Sequence, residues 1–333
     1  MYRPWVYRLA WMTTAAALLP IAVGALVTSL GAGMAFPDWP TSHGHNMLAY
    51  PWLQSVGDEF IEHGHRLAGM LVGMLTLLLA ATVFALESRR WVKALAIVVL
   101  LGVITQGVLG GIRVLAADKF WAMIHGTFAA CIFSTMAVLT LATSRGWLAA
   151  GKSSDASSST SQQPDDASER ALGMRPFLVL LPCLVLAQFI LGGLVRHQGQ
   201  ALHAHLGMAI VVALFAVTTA LLIRRLKMSW LNGPSTALLL LVATQLLLGA
   251  GAWVTKYGFP MWDYVAIHES TSQILFRSAH TVVGMLLLMT SIVLSVRFQR
   301  WQYLTGPNRS DFRELATVER QSGKPWAMTG GMP

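Results

Sequence analysis

The chain has 333 residues and a formal net charge of +9; 55% of its residues are hydrophobic and 12% are charged. An average soluble domain contains about 25% charged residues, so this composition excludes an ordinary soluble globular domain. It predicts a protein that is embedded in a membrane.

Eight apolar runs follow one another along the chain. Each has about 18 residues or more, enough to cross a hydrocarbon core about 30 Å thick. They predict an all-α membrane protein with eight transmembrane helices. We interpret the first run as an uncleaved helix rather than a secretory signal, because further runs follow it. The runs are Trp11–Ser29, Leu67–Leu86, Ala94–Ile112, Ala122–Thr143, Phe177–Val195, Leu206–Ile223, Thr236–Thr255 and Thr281–Val296.

The distribution of Lys and Arg predicts the orientation of these helices. If both termini are cytoplasmic, 18 of the 24 basic residues lie on the cytoplasmic side and six lie outside. Orientation and attraction to the lipid bilayer then explain the positive charge, so no nucleic-acid partner is needed. The chain does not begin with an Arg-rich and Ser-rich transit segment, which favours the inner (plasma) membrane of a bacterium and a multi-pass protein there.

The histidines all fall on the outer side in this topology. Imidazoles clustered at one face of a bilayer indicate metal or heme chemistry at that face. The ten residues are His43, His45, His63, His65, His125, His197, His203, His205, His268 and His280.

The chain contains an internal duplication. A His-x-His doublet, a buried glutamine and a single later histidine occur in the same order in each set of four helices. Both sets have the same orientation, since each contains an even number of helices. We predict two tandem four-helix bundles, at 1–148 and 173–300, joined by a disordered cytoplasmic linker at 149–172 and followed by a cytoplasmic tail at 301–333.

In each half the second and fourth helices both run inward, so histidines at their starts lie at the same depth. We therefore predict one facing pair in each half, able to bind a heme iron between two imidazoles. The pairs are His65 with His125 and His205 with His280. Small residues four positions later on the same helix faces leave room for a flat ring; they are Gly69, Ala129, Ala209 and Gly284.

Only one histidine of each doublet can face the ring, because residues two apart on a helix point about 200° apart. His65 is preferred to His63, since small residues continue its face. His205 is preferred to His203 mainly by the symmetry of the repeat, and the alternative choice stays open in both halves.

Each of these features also has a plainer interpretation. A histidine at a helix end is often an interfacial polar residue, and small residues can serve helix packing alone. The occurrence of two histidine pairs, each with both members at the same depth in the membrane, favours a role as metal or heme ligands. We assign a structural or solvated role to the histidines of the outer loops, His43, His45, His197 and His268.

Charged side chains surround the first pair. Glu62 and Arg66 share a helix face with His65, so Glu62 is either a catalytic carboxylate or a salt-bridge partner of Arg66. Arg113 and Arg196 end helices on the outer side. With Arg66 they are candidates to bind heme propionates, or they anchor the helices at the membrane interface.

Two further features concern packing and access. Gln106 and Gln245 lie inside apolar helices, where interhelical hydrogen bonding is the simplest role. The Gly-rich and Pro-rich start of the first outer loop, Gly31–Pro40, is a candidate lid over the first site.

Together, several motifs resemble the heme A synthase family over about Ala10 to Arg297. In the first half the motifs are Gly24–Ser29, Gly31–Met34, Pro37–Pro40, Glu62–Arg66, Gln106–Arg113 and His125–Gly126. In the second half they are Leu191–His197, His205 and Ala279–His280. No single motif is specific, but the combination is.

The resemblance implies an oxidoreductase that converts heme O to heme A by successive hydroxylation of a methyl group to a formyl group. By the same analogy, the second pair holds a heme B cofactor and the first pair receives heme O. Glu62 matches the acidic residue of the family's Glu-x-x-His pattern and would be catalytic. The implied partners are a heme O synthase, a membrane electron donor or acceptor and the terminal oxidase assembly machinery; a homo-oligomer stays open.

One departure from the family concerns cysteine. Some members carry a cysteine pair in the first outer loop, whereas Cys131 and Cys183 fall within predicted helices and are interpreted as packing residues. Three alternative functions remain: a bis-heme membrane electron carrier of cytochrome b type, a heme-carrying oxidase assembly factor, and a transporter built from repeats.

Overall fold

The structure, a computed structural model, describes residues 2–156, 165–225 and 229–305. Over these ranges the chain forms ten α-helices and short 3-10 turns at Trp52–Gln54 and Pro260–Trp262. The helices are α1 (Pro4–Ala16), α2 (Leu18–Leu30), α3 (Gly57–Leu86), α4 (Arg90–Ala116), α5 (Lys119–Thr143), α6 (Arg145–Ala156), α7 (Asp165–Gln198), α8 (Leu202–Arg225), α9 (Ser229–Tyr257) and α10 (Thr271–Thr305).

Eight segments of the described chain are long and apolar enough to cross a membrane, with α1 and α2 forming one of them. The prediction of an all-α protein with eight apolar spans is thus confirmed. Apolar side chains also cover the outward faces, where Leu101, Leu214 and Leu247 are 57%, 66% and 73% exposed. Such faces suit a surrounding of lipid, in which helices satisfy their own backbone groups.

The first span is broken in the middle, because α1 ends at Ala16 and α2 begins at Leu18. Pro20 has no N–H group, and its ring clashes with the carbonyl four residues earlier, that of Ala16. The α2 helix then ends at Gly31, which has a left-handed φ of 73°. This glycine turns the chain out of the helix and starts the first outer loop.

Successive long helices pack against each other within each half, and the last helix also contacts the first: α5 packs on α1, and α10 packs on α7. Each half has its own apolar core, which includes Val83 and Leu139 in the first half and Leu181 and Leu294 in the second. The halves meet where α10 packs on α2 and α5. Ile21 of α2 contacts both cores.

Helical structure extends into the ends of the predicted linker at 149–172, since α6 ends at Ala156 and α7 begins at Asp165. The centre of that linker, 157–164, lies outside the described residues, as does 306–333 of the predicted tail. These two domain assignments therefore stay predictions.

Candidate functional site

The structure brings the predicted histidines together as two pairs. The ring centroids of His65 and His125 lie 6.3 Å apart, with 76° between the ring planes. Those of His205 and His280 lie 6.2 Å apart, at 80°. The two halves therefore hold their imidazoles in nearly the same edge-to-face arrangement.

A glycine on a neighbouring helix lies against the edge of each imidazole ring. A side-chain carbon added to Gly24 would lie 2.8 Å from Cε1 of His65, and one added to Gly192 would lie 3.0 Å from Cε1 of His205. Gly110 and Gly249 have the same relation to His125 and His280, at 3.2 and 3.1 Å. A larger residue at these four positions would displace the imidazoles, so the glycines fix where the rings lie.

A cavity of about 1180 Å³ is lined by all four paired histidines. The four small residues predicted to make room beside them line it too, namely Gly69, Ala129, Ala209 and Gly284. Three buried ring nitrogens of these histidines have no hydrogen-bond partner among the described residues; they are Nδ1 of His65, His205 and His280. Desolvated and unpaired nitrogens are costly, so a binding partner for these rings would lower that cost.

The other histidine of each doublet lies off the cavity. His63 is fully buried; its Nδ1 lies 3.1 Å from the Ser42 hydroxyl and its Nε2 lies 3.0 Å from the Met47 carbonyl oxygen. His203 is exposed. His65 and His205 are therefore the members of the two doublets that line the cavity, and their choice as heme ligands stays a prediction.

Glu62 is buried at the outer end of the cavity, with 2% of its surface exposed. One carboxylate oxygen accepts a 2.8 Å hydrogen bond from Arg66, and the other accepts one of 2.8 Å from the backbone N–H of Ala35. Arg66 also donates to the carbonyl oxygens of Asp38 and Thr41. The salt bridge that the sequence allowed is therefore present, and it ties the carboxylate to the first outer loop.

That loop folds over the first histidine pair, as the lid interpretation predicts. Trp39 and Met47 of the loop line the cavity, and the Trp39 ring packs against Gly111 of α4. Arg113 donates to the carbonyl oxygen of Gly33 over 3.0 Å. The loop is thus attached to two helices: His63 and Arg66 of α3 contact it, and so do Gly111 and Arg113 of α4.

The buried glutamines make the interhelical hydrogen bonds expected of them. Gln106 donates to the His125 carbonyl oxygen over 3.0 Å, and the Gln245 amide nitrogen lies 3.4 Å from Nε2 of His280. Sequence reasoning missed Gln188 of α7, which donates to the His205 carbonyl oxygen over 3.0 Å. Its signal was available, since Gln188 is also a polar residue inside an apolar run.

Arg196 connects the two halves. Its terminal nitrogens donate to Ala25 and Ser29 of α2 and to Arg277 and Thr281 of α10, over 2.6 to 3.0 Å. These four bonds occupy the terminal N–H groups and leave Nε–H as the remaining donor. A propionate role for Arg196 stays a prediction, but the contact between halves is a role that the sequence did not reveal.

The cavity is rich in positive charge. The described charged residues that line it are the acid Glu62 and the bases Arg66, Arg113, Arg196, Lys256 and Arg277. His197 lies in the last turn of α7 and lines the cavity too, so its assignment to an outer loop was wrong. The described residues hold no cluster of three or more metal-ligating side chains, and a site in this cavity would use two imidazoles at a time.

Comparison with known proteins agrees with this arrangement. A protein named heme A synthase from Shouchella clausii (strain KSM-K16) is 32% identical over 136 residues, which are 40% of this chain and 44% of that protein. Another of that name, from Alkalihalophilus pseudofirmus, is 29% identical over 133 residues, 39% of this chain and 43% of that protein. The chain thus matches less than half the length of either relative.

A family match covers more of the chain. Residues 7–206 match the sequence model of the COX15-CtaA family, described as cytochrome oxidase assembly protein. That segment includes the first histidine pair, Glu62, the first outer loop and His205. The chain therefore belongs to the heme A synthase family of cytochrome oxidase assembly proteins.

Proposed function

We propose that this chain is a heme A synthase that oxidises a methyl group of heme O to a formyl group. In this proposal the first pair, His65 and His125, binds the substrate heme O. The second pair, His205 and His280, binds heme B. The observation that carries the proposal is the presence of two imidazole pairs of matching geometry on the wall of one cavity.

The residues fit a heme iron on geometric grounds. Metal–imidazole bonds are about 2 Å long, so a metal between two imidazoles requires ring centroids roughly 6 Å apart. The observed separations are 6.3 and 6.2 Å. Unpaired ring nitrogens and the surrounding small residues support the same fit, and the excess of cavity-lining cations suits the propionates of a porphyrin.

Charge distinguishes the substrate pair from the cofactor pair. Glu62 lies three residues before His65, and Leu202 occupies the corresponding position before His205. Arg66 and the backbone N–H of Ala35 donate hydrogen bonds that hold the Glu62 carboxylate in place, and a carboxylate can accept a proton from a substrate bound beside it. A carboxylate in only one of two similar sites supports chemistry at that site alone.

Other residues of the first half orient the substrate and exclude water. The first outer loop closes the outer end of the cavity through Trp39 and Met47. Arg113 stands at the same end, suited to bind a propionate. When bound at the second pair, heme B would supply one-electron redox chemistry at a potential set by its two imidazole ligands.

The proposal includes the setting of the enzyme. It has two tandem four-helix bundles, both termini in the cytoplasm and both heme sites toward the outer face of a bacterial plasma membrane. The helix contacts support the two bundles, and the uneven distribution of Lys and Arg between the two sides supports the orientation. A heme O synthase supplies the substrate, and the terminal oxidase assembly machinery takes the product.

The test is production of heme A in a host that lacks it. The chain is expressed together with a heme O synthase, and the extracted hemes are resolved by mass. We compare the wild type with His65→Ala, His280→Ala and Glu62→Ala, with His203→Ala as the matched control off the cavity. We expect heme A or its hydroxylated intermediate from the wild type and the control, and loss of product from the other three.

A bis-heme electron carrier is the second candidate, favoured by the near identity of the two pairs. It would yield heme B bound twice per chain, regardless of whether heme O is present. An assembly factor that only carries heme would bind heme O and tolerate Glu62→Ala. Either result would overturn the synthase proposal.

A further inference from the structure

The cavity is deeper in the first half than in the second. On α3 it reaches Leu77, twelve residues beyond His65, whereas on α8 it reaches only Ala213, eight residues beyond His205. At about 1.5 Å per residue, the first half is deeper by about one helical turn.

The neighbouring helices differ in the same way. On α5 the cavity reaches Met136, eleven residues beyond His125, whereas on α10 it ends at Leu287, seven residues beyond His280. The extra depth is confined to one side of the cavity. On the opposite side the two halves are equally deep: the cavity reaches Ala17, just before α2, and Val185 of α7, and each lies seven residues before the glycine that faces a histidine. We call the additional space the deep extension; its walls include Leu77, Leu100, Ile132, Phe133 and Met136.

The walls of the deep extension are apolar. Leu77 of α3 and Ile104 of α4 line the cavity, and 57% and 53% of their surfaces are exposed. Their exposure makes the boundary between α3 and α4 the candidate place for a lateral opening.

The boundary between these helices carries smaller side chains than its counterpart in the second half. Gly69 and Gly73 of α3 and Gly107 of α4 line the cavity, and a carbon added to any of them meets no described atom within 4 Å. The positions at the same sequence offsets from the paired histidines and the buried glutamines of the second half are Ala209, Ala213 and Leu246. Each of these residues has a larger side chain than the glycine to which it corresponds.

We propose that the deep extension binds the isoprenoid chain of the heme substrate and lets its end pass between α3 and α4 into lipid. This inference rests on the proposed function. Heme O carries a long apolar chain and heme B does not, so only the substrate site needs an apolar space below the ring. The chain would gain affinity from burial against these walls, and the shallower second site would exclude it by size.

The test is filling this boundary with a side chain. Gly73→Leu and Gly107→Leu place bulk at the boundary of α3 and α4 that leads to the deep extension, and the second gives α4 the residue that α9 carries at 246. Ala81→Leu, on the exposed face of α3 two turns further on, adds similar bulk outside the cavity and is the matched control. Each full-length protein is purified from a host that makes both heme B and heme O, and the heme of each kind per chain is measured by mass.

We expect the two glycine variants to retain at least tenfold less heme O and oxidised heme O, summed per chain, than the wild type, with unchanged heme B. The alanine variant should match the wild type in both. Retained heme B reports an intact fold, and Gly73→Ala should give a smaller loss than Gly73→Leu.

A wild-type sum of heme O and oxidised heme O in both leucine variants would overturn the tail site and leave the proposed function standing. Equal loss of both hemes would overturn it too, since that indicates general damage. A wild-type chain that retains neither heme O nor an oxidised product of heme O would overturn the proposed function itself.

Discussion

The two halves of the chain hold their imidazoles alike and differ in what surrounds them. Ring separations agree within 0.1 Å, and glycines face the rings in both halves. The charged residues near the first pair have apolar counterparts in the second half. Counting sequence positions from the paired histidines and the buried glutamines, Glu62, Arg66 and Arg113 correspond to Leu202, Leu206 and Ala252. The repeat thus preserves the arrangement of paired histidines and glycines, whereas these three charged side chains occur in the first copy only.

This difference separates binding from chemistry. A site that only holds a cofactor needs ligands and shape, both of which the halves share. A site that processes a substrate also needs groups that move protons and close over the reactant. Among the residues that the structure describes, a buried carboxylate lies beside the histidine pair of the first half alone, and residues of the loop that contacts it line the cavity.

We expect the largest effect from Glu62→Leu, which gives the first half the residue that the second half has at the equivalent position, Leu202. We expect heme A formation to fall by about 10² to 10⁴-fold, the range for losing a positioned proton-transfer group, while heme O still binds. Glu62→Gln keeps the shape and should lose product as well. Product per chain is measured by mass, with Glu59→Gln, one turn earlier on α3, as control. Wild-type product from Glu62→Gln would remove the proton-transfer role.

His63 and His203 occupy equal positions in the two doublets, but the structure gives them unequal roles. His63→Ala removes two hydrogen bonds and leaves a buried gap, so we expect about 2 to 4 kcal/mol of destabilisation. His203→Ala, at an exposed position, should stay within about 0.5 kcal/mol. Unfolding of the purified protein measures both, and equal effects would contradict the anchoring role of His63.

The glycines that face the rings sharpen the comparison, because each should affect one site only. Gly24→Ala places a carbon 2.8 Å from His65, and Gly192→Ala places one 3.0 Å from His205. We expect roughly tenfold weaker retention of heme O in the first variant and of heme B in the second. Gly146→Ala, away from the cavity, is the control. Loss of the same heme in both variants would contradict the assignment of the sites.

The smallest effect concerns the loop over the first site. Burial acts to raise the pKa of Asp38, but hydrogen bonds from the Thr41 hydroxyl and the N–H groups of Gly44 and His43 outweigh it and lower that pKa from 3.8 to about 2. Because the folded pKa is the lower one, the contribution to stability is complete above about pH 4 and is lost as the pH falls toward 2.

Limited proteolysis of the first outer loop tests this pH dependence. We expect an unchanged cleavage rate from pH 8 down to about pH 4, and faster cleavage at pH 8 in Asp38→Asn. The Asn amide still accepts a hydrogen bond but lacks the charge that strengthens these contacts. A wild-type cleavage rate that rises between pH 7 and pH 5 would show that another group controls the loop.

The sequence predicted features that depend on spacing within one helix. The eight spans, the cavity-facing choice of His65 and His205, and the four small residues beside the paired histidines follow from helical periodicity and from the repeat. The break at Ala17 was missed, although Pro20 marks it by a known steric rule.

Features that join distant segments were beyond such reasoning. His63 binds Ser42 and Met47 across a loop whose path no periodicity describes. Arg196 contacts Ala25 and Ser29, which are 171 and 167 residues away. Hydrogen bonds of this kind depend on how the halves dock, and docking leaves no repeating pattern in the chain.

The Arg196 contact has a consequence for the interface between the duplicated halves. Arg196 lies four residues after Gly192 in α7. The equivalent position in α2, four residues after Gly24, is Thr28. Two copies of the first half would therefore lack the guanidinium that joins α2 to α10. A dimer of two first halves could not make this contact, so the interface between the halves of this chain is asymmetric. Each half is a specialised partner for the other and is not interchangeable with it.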